Sequence, residues 1–344
     1  MADENKTMVG QIDDKDKIVN DFCLTICTVN GSGSATANNS LLRALFHMGI
    51  PVSGRNIFPS NIKGLPTWFT IRASKDGYLG RVPHDDIIIQ MNPQTFTKDL
   101  PCAVNGGVVF YGDHIDIPIE REGIITYPMP VKDLIKEAGV PRNLLEYMEN
   151  MVYVGVVAQI LGIDLTNIKG ALRRQFRRVP SVADDNFAIV QLSADWAKQN
   201  LVKKDRYWVK PMEPLEGYIM TDGNTAGALG AIYGGFQFCS WYPITPATSL
   251  AESLVTFAPR LRKNPETNKN NYAIIQAEDE LAAIGMAVGA GWAGLRSLSS
   301  TSGPGISLMS EYMSLAYFAE VPLVLWDVQR VGPSTGLPTR TAQG

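Results

Sequence analysis

Four segments in the second half of the chain, and one near its start, carry residue types whose spacing could do chemistry. Ser240-Trp241-Tyr242-Pro243-Ile244-Thr245-Pro246 sets two prolines close together. They forbid helix and block a central strand, so the segment is a rigid loop able to hold the Thr245 hydroxyl in one orientation. Read alone, it is equally a structured turn. Gln276-Ala277-Glu278-Asp279-Glu280 closes an apolar run and opens a helix rich in Ala282, Ala283, Gly285, Ala287, Gly289 and Ala290. Acids at a helix start suit the macrodipole. That accounts for the three carboxylates but not for the small residues behind Glu280, which let another helix or a flat ligand come close. A carboxyl buried there keeps its proton more readily than in water.

Thr301-Ser302-Gly303-Pro304-Gly305 leads into a helix from Ile306. It is either a turn or a set of backbone groups lining a cofactor pocket. Gln329-Arg330-Val331-Gly332-Pro333-Ser334-Thr335-Gly336 follows a strongly apolar strand. An arginine at the C-terminal edge of a strand suits a carboxylate, with a surface ion pair as the alternative. Near the start, Gly31-Ser32-Gly33 separates a strand from a helix. It reads as a tight turn or as an anion-holding helix N-terminus. It is not a G-x-G-x-x-G fingerprint, because residue 36 is Thr.

These segments need elements to position them. Strand patterns are predicted at Asp21–Asn30, Thr67–Ala73, Asp86–Met91 and Val108–Tyr111, and helical spacing at Thr36–Met48, Val131–Glu137, Arg142–Leu161 and Asp185–Gln199. Alternation of this kind implies an α/β domain with a largely parallel sheet over residues 18–199. Residues 1–17 read as a flexible arm. Residues 200–216 are charged, hold Pro211 and Pro214, and read as a linker. From 217 to 344 a second α/β series follows: helix Gly223–Tyr233, the proline loop, a helix after Ala247, strand Tyr272–Gln276, helix Glu280–Trp292 and strand Leu323–Val328. The sequence stops at Gly344 with no closing element, so this sheet is expected to be incomplete, either as a fragment or completed by another chain.

Composition excludes several classes. With 344 residues, 45% hydrophobic and 19% charged, the chain can bury real cores. A net charge of −3 gives no footprint for nucleic acid or an anionic membrane. The polar N-terminus lacks the apolar core of a signal peptide, and no apolar run reaches the ~18 residues of a membrane span, so a cytoplasmic location is expected. Cys23, Cys27, Cys102 and Cys239 are scattered without the ligand spacing of zinc or iron–sulfur sites, and they read as reduced thiols.

Taken in order, YPITP, a glutamate opening a Gly/Ala helix, TSGPG and QRVGPSTGLPT resemble the pyrimidine-binding domain of the thiamine-diphosphate-dependent 2-oxoacid:ferredoxin oxidoreductases. The first half, with NGSGSATAN, resembles the gamma domain of that family, which one subfamily fuses ahead of the alpha domain. That fusion is typical of the 2-oxoglutarate enzymes. The resemblance runs from about residue 20 to the end. It implies a gamma-type α/β domain followed by a thiamine diphosphate pyrimidine-type domain.

The resemblance also implies roles. Glu280 matches the glutamate that hydrogen-bonds the aminopyrimidine ring, with Glu278 next if the register slips by two. A carboxyl sharing a proton with a ring nitrogen lets the ring accept the thiazolium proton and expose a carbon nucleophile. Thr245 matches the threonine facing the 2-oxoacid, and Arg330 the arginine pairing with its carboxylate. Tyr242 and Thr339 line the same pocket, and Pro243, Ile244, Thr301, Ser302 and Gly303 belong to the cofactor side. The implied reaction takes 2-oxoglutarate, coenzyme A and oxidised ferredoxin to succinyl-CoA, carbon dioxide and reduced ferredoxin.

No Gly-Asp-Gly occurs, Gly112-Asp113-His114 being the nearest, and no cluster ligands occur. No metal ligand is therefore expected in this chain. A partner beta subunit is expected to bring the diphosphate/Mg2+ half-site and a [4Fe-4S] cluster, in a dimer of heterodimers served by ferredoxin. A distal substrate carboxylate would need a further cation: Arg340, Lys63, Arg55 or a partner residue. The alternatives are a pyruvate or branched-chain 2-oxoacid enzyme, another thiamine enzyme such as a transketolase-like subunit, or a non-catalytic assembly or regulatory protein on the same folds.

Overall fold

The structure, a computed structural model, describes residues 8–9, 12–58, 63–80, 82–115, 121–142 and 144–329. The chain divides into two compact units, with the sequence boundary at Tyr218 and Ile219.

The main sheet of the first unit has six strands: β1 (Asp21–Val29), β2 (Val52–Ile57), β3 (Pro66–Ser74), β4 (Asp85–Gln90), β5 (Ala103–Gly112) and β6 (Ile125–Met129). Their order is β2-β3-β1-β4-β5-β6. β1, β4, β5 and β6 run parallel, while β3 is antiparallel to both β1 and β2. Every residue from Phe22 to Thr28 is buried, as expected of a strand covered on both faces. Among the described residues, five helices of more than one turn accompany the sheet: α1 (Ser34–His47), α2 (Val131–Glu137), α3 (Asn150–Leu161), α4 (Leu165–Gln175) and α5 (Pro180–Asn200). α3 is apolar all round and almost wholly buried, which marks a central helix. It crosses α5 at Gly155, where a Cβ would lie 2.2 Å from the Val190 carbonyl oxygen.

β2, β6 and α4 go beyond the sequence expectation. β2 holds Gly54, Arg55 and Asn56 at the sheet edge, with no apolar alternation to betray it. β6 carries Pro128, which an edge strand tolerates. α4 buries only Ile168, Ala171 and Leu172.

Residues 200–216, expected as a linker, are folded into the first unit over much of their length. Val202–Lys203 pair with Met8–Val9, and Tyr207–Trp208 with Ile18–Val19. The charges that suggest a solvated tether form an internal network instead. Lys203 and Asp205 are fully buried. The Lys203 ammonium donates to Asp205 Oδ1 at 2.8 Å and to the Tyr207 carbonyl at 2.6 Å, and the Tyr127 hydroxyl donates to Asp205 Oδ2 at 2.7 Å. Part of the expected N-terminal arm is tied down by the same pairings.

In the second unit, four parallel strands form one sheet: β7 (Phe238–Trp241), β8 (Ala273–Gln276), β9 (Ser297–Thr301) and β10 (Val324–Asp327), in the order β8-β7-β9-β10. The helices are α6 (Gly223–Tyr233), α7 (Thr248–Leu261), α8 (Glu280–Trp292) and α9 (Gly303–Phe318). α6 and α7 pack on Cys239, Trp241 and Leu298, burying Ile232, Leu250 and Leu254. α8 and α9 form a separate core of Ala283, Ile284, Val288 and Met309. Among the described residues, no helix is long and apolar enough to cross a membrane.

Candidate active site

The four described strands of the second unit are parallel, so the segments that follow them gather at one edge of the sheet. Tyr242–Pro246 leaves β7, Ala277-Glu278-Asp279 leaves β8, Ser302 leaves β9, and Val328-Gln329 leaves β10. Register ties the strand ends together: Trp241 pairs with Gln276 on one side and Ser300 on the other, and Thr301 pairs with Asp327. The chain passes from β7 outward to β8, then back across β7 to β9. That reversal is the topological switch point, where open α/β sheets form their ligand crevice. It brings the proline loop beside the Thr301–Gly305 segment.

The proline loop is held from two sides. The Thr248 amide and hydroxyl both donate to the Ile244 carbonyl, at 3.1 and 3.2 Å. Asn224, at the start of α6, donates from Nδ2 to the Pro246 carbonyl at 2.9 Å. The Thr245–Pro246 peptide is cis. Thr245, Tyr242 and Ile244 are half-buried, and Pro243 is exposed. Asn224 is absent from the sequence expectation, although Asp222 two residues earlier signals a helix cap. Asp222 accepts from the Thr225 amide at 2.9 Å.

Burial separates the three acids. Glu278 and Asp279 are exposed, whereas Glu280 is only 9% exposed. Asp279 caps α8, accepting from the Ala282 amide at 2.7 Å. The helix-start reading is thus satisfied by Asp279, and Glu280 turns inward. Two of the small residues of α8 pack closely against protein. Gly285 faces the Tyr312 ring, with a built Cβ 3.0 Å from Cζ, and Gly291 faces Val321 and the Pro322 carbonyl. The buried Ser240 hydroxyl donates to the Ala283 carbonyl at 2.6 Å, binding β7 to the first turn of α8.

Gly305, in the first turn of α9, is wedged against the same place. A Cβ there would lie 1.9 Å from Thr301 Oγ1 and 3.2 Å from Glu280 Cγ. Segments far apart in sequence therefore converge on one point. The hydroxyls of Ser300, Thr301 and Ser302 are buried and lack a hydrogen-bond partner among the described residues. The orphaned Thr301 hydroxyl, close to the buried Glu280, fits a polar, hydrogen-bonding group such as an aminopyrimidine. At the far strand, burial raises the Asp327 carboxyl above the usual aspartate range.

Other expectations find different places. Arg330, Thr339 and Arg340 lie outside the described residues. Lys63 and Arg55 lie in the first unit, where Lys63 pairs with Glu146 at 3.0 Å. The Gly31-Ser32-Gly33 turn has positive φ at both glycines, and built Cβ atoms would meet Lys63 at 2.7 Å and Tyr147 at 2.9 Å. Both glycines therefore serve a tight turn. Cys23, Cys27 and Cys239 are buried and Cys102 is exposed. A cavity of about 870 Å³ lined by Gly227, Gly230, Leu295, Leu323 and Trp326 includes none of the residues of the site.

Two family models and several known proteins match the chain. Residues 23–196 match the family model described as pyruvate ferredoxin/flavodoxin oxidoreductase. Residues 229–344 match the model described as pyruvate flavodoxin/ferredoxin oxidoreductase, thiamine diP-bdg. The chain is 31% identical to 2-oxoacid:ferredoxin oxidoreductase 1, subunit alpha, of Sulfurisphaera tokodaii, over 91% of this chain and 55% of that protein. It is 30% identical to 2-oxoglutarate oxidoreductase subunit KorA of Mycobacterium tuberculosis, over 75% of this chain and 42% of that one. Among solved structures it is similar to the 2-oxoglutarate:ferredoxin oxidoreductase from Magnetococcus marinus with 2-oxoglutarate, coenzyme A and succinyl-CoA bound. The TM-score is 0.78 at 31% identity, covering 93% of this chain and 54% of that one. The chain spans about half the length of the curated relatives it matches.

Proposed function

Because this chain belongs to the pyruvate ferredoxin/flavodoxin oxidoreductase family, we propose that it acts as the alpha-type subunit of a 2-oxoacid:ferredoxin oxidoreductase. In this reading it supplies the pyrimidine half of a thiamine diphosphate site and the site for the 2-oxoacid carboxylate. The observation that carries the reading is the buried Glu280, set against Thr301 and Gly305 at the switch point of a parallel sheet.

When bound, thiamine diphosphate supplies a carbon nucleophile for the 2-oxo group and accepts the electrons that decarboxylation releases. The work of this chain is positioning. Glu280 holds a proton at the ring nitrogen from a largely water-excluded position. Thr245, in a loop braced by Asn224 and Thr248, presents its hydroxyl to the 2-oxo group. Tyr242 and Thr339 line that pocket, and Pro243, Ile244, Thr301, Ser302 and Gly303 close the cofactor side. Arg330 pairs with the substrate carboxylate, as guanidinium geometry suits. Relatives named for 2-oxoglutarate favour that substrate. The reading further assigns the Mg2+/diphosphate half-site and a [4Fe-4S] cluster to a partner beta subunit, ferredoxin to electron removal, coenzyme A to acyl capture, and the cytoplasm to the whole assembly.

The test is anaerobic visible spectroscopy of the chain purified with its co-eluting partner. Adding 2-oxoglutarate and coenzyme A should bleach a cluster band, and bleaching should require added thiamine diphosphate. A complex that binds no thiamine diphosphate, or bleaches without it, refutes the proposal.

A further inference from the structure

α8 and α9 pack side by side through Ile284, Val288 and Met309. A helix lying on a sheet normally turns a polar stripe to water. These two do not. Over their 13 and 16 residues they hold two charged side chains, Glu280 and Glu311, and no lysine or arginine. Glu280 is buried. What they expose instead is Leu281 and Trp292 on α8 and Leu308, Tyr312, Leu315 and Phe318 on α9. Trp292 is 67% exposed, Phe318 83% and the other four between 38% and 50%.

These side chains form one surface. Positions 281, 285, 289 and 292 follow one stripe of α8, and 308, 312, 315 and 318 one stripe of α9. The stripes meet at Gly285, where a built Cβ would lie 3.0 Å from the Tyr312 ring. One turn further on, a Cβ on Gly289 would meet nothing within 4 Å among the described residues, so α8 is uncovered there.

The extent of the surface decides what it can hold. At roughly 200 Å² for an aromatic side chain and about 100 Å² for leucine, these exposures amount to about 500 Å² of apolar area. A stable interface takes about 800 Å² from each partner, and about three-fifths of it is apolar, which is the same amount. Depletion of charge is also the mark of an interface core.

Position decides the occupant. The surface starts at the edge where Glu280 and Gly305 converge, Leu281 following Glu280 directly. A second copy of this chain seated there would add another half-site of the same kind and leave both incomplete. A subunit carrying the diphosphate half-site has to reach this same edge. We propose that the α8–α9 face is the surface on which that subunit docks, through an apolar face of its own with a basic group opposite Glu311. This rests on the reading of Glu280 given above.

The test is sedimentation velocity of the chain co-expressed and purified with the beta-type subunit, over a dilution series that gives the subunit Kd. Thiamine diphosphate binding is measured on the same samples. Leu315→Glu with Phe318→Glu should raise the subunit Kd about tenfold or more. The far-UV spectrum should not change, since both positions are exposed. Leu315→Met with Phe318→Leu keeps the face apolar and should stay within about threefold of wild type. Tyr233→Glu, at a 79% exposed position on α6, should stay within about twofold. A wild-type subunit Kd for the double glutamate variant, or an equal loss for Tyr233→Glu, overturns the proposal. So does a wild-type chain that forms a homodimer without the beta subunit and is split by the two glutamates. If the pair assembles through this face yet binds no thiamine diphosphate, the docking surface stands and the reading of Glu280 fails.

Discussion

Gly305 stands so close to Thr301 that a methyl group on it would lie 1.9 Å from the threonine Oγ1. This contact joins the start of α9 to the end of β9 at the point where Glu280 enters α8. It leads to the first prediction. Gly305→Ala should destabilise the second unit by about 1–3 kcal/mol, as overpacking of a tight site does. Chemical denaturation measures the loss, and a variant as stable as wild type would show that this packing is looser than described.

Glu280 and Glu278 are two residues apart, but only Glu280 is buried. Glu280→Gln should lower kcat about 100-fold or more, in the range of a lost proton-transfer group. Glu278→Gln should change it less than about twofold. The companion change, Arg330→Ala, should raise KM for the 2-oxoacid strongly with a smaller effect on thiamine diphosphate affinity. Steady-state kinetics of the complex decide all three, and equal effects at Glu278 and Glu280 would remove burial as the distinguishing feature.

Asn224 braces the proline loop through the Pro246 carbonyl and also donates to Ser249 Oγ at 2.7 Å. Asn224→Ala should raise KM for the 2-oxoacid several-fold and cost about 1–2 kcal/mol of stability, the worth of its two hydrogen bonds. A change in Tm with no change in KM would confine Asn224 to a structural part.

In the first unit, Lys203 and Asp205 are both fully buried. Lys203→Met leaves the Asp205 carboxylate without its cation and should destabilise by about 3–5 kcal/mol. The double change Lys203→Met with Asp205→Leu should recover most of that. Equilibrium unfolding of the two variants makes the comparison, and a mild single-variant effect would show that the Tyr127 hydroxyl and the Tyr207 amide suffice for Asp205.

Burial raises the Asp85 carboxyl, while Thr25 Oγ1, at 2.5 Å, and the Cys23 thiol donate to it and pull the other way. A raised carboxyl binds more protons in the folded than in the unfolded state, so stability falls as pH rises from 3.8 through the folded value. The penalty is complete above that value and absent below 3.8. Asp85→Asn should therefore be as stable as wild type or more stable at pH 7, and the difference should shrink towards pH 4. Urea unfolding across that range gives the sign directly, and a gain that grows on acidification contradicts it.

Local pattern alone determined much of this protein. Helices Val131–Glu137, Gly223–Tyr233 and Glu280–Trp292 were legible to the residue, because caps such as Asp222 and Asp279 and a run of helix formers act over a few neighbours. The order of the proline loop, the glutamate helix and the Thr301 segment carried the family. What the tertiary structure decided depends on residues distant in sequence. β9 reads Ser-Leu-Ser-Ser-Thr and has no strand signature; it is a strand because β7 and β10 flank it. Residues 202–208 are charged like a tether, but Lys203 and Asp205 neutralise each other inside the first unit. The resemblance already preferred Glu280 to Glu278, but the burial that sets them apart is not encoded by either residue's neighbours in sequence. It arises where Thr301, Gly305 and the first turn of α8 come together, and only the folded sheet brings them there.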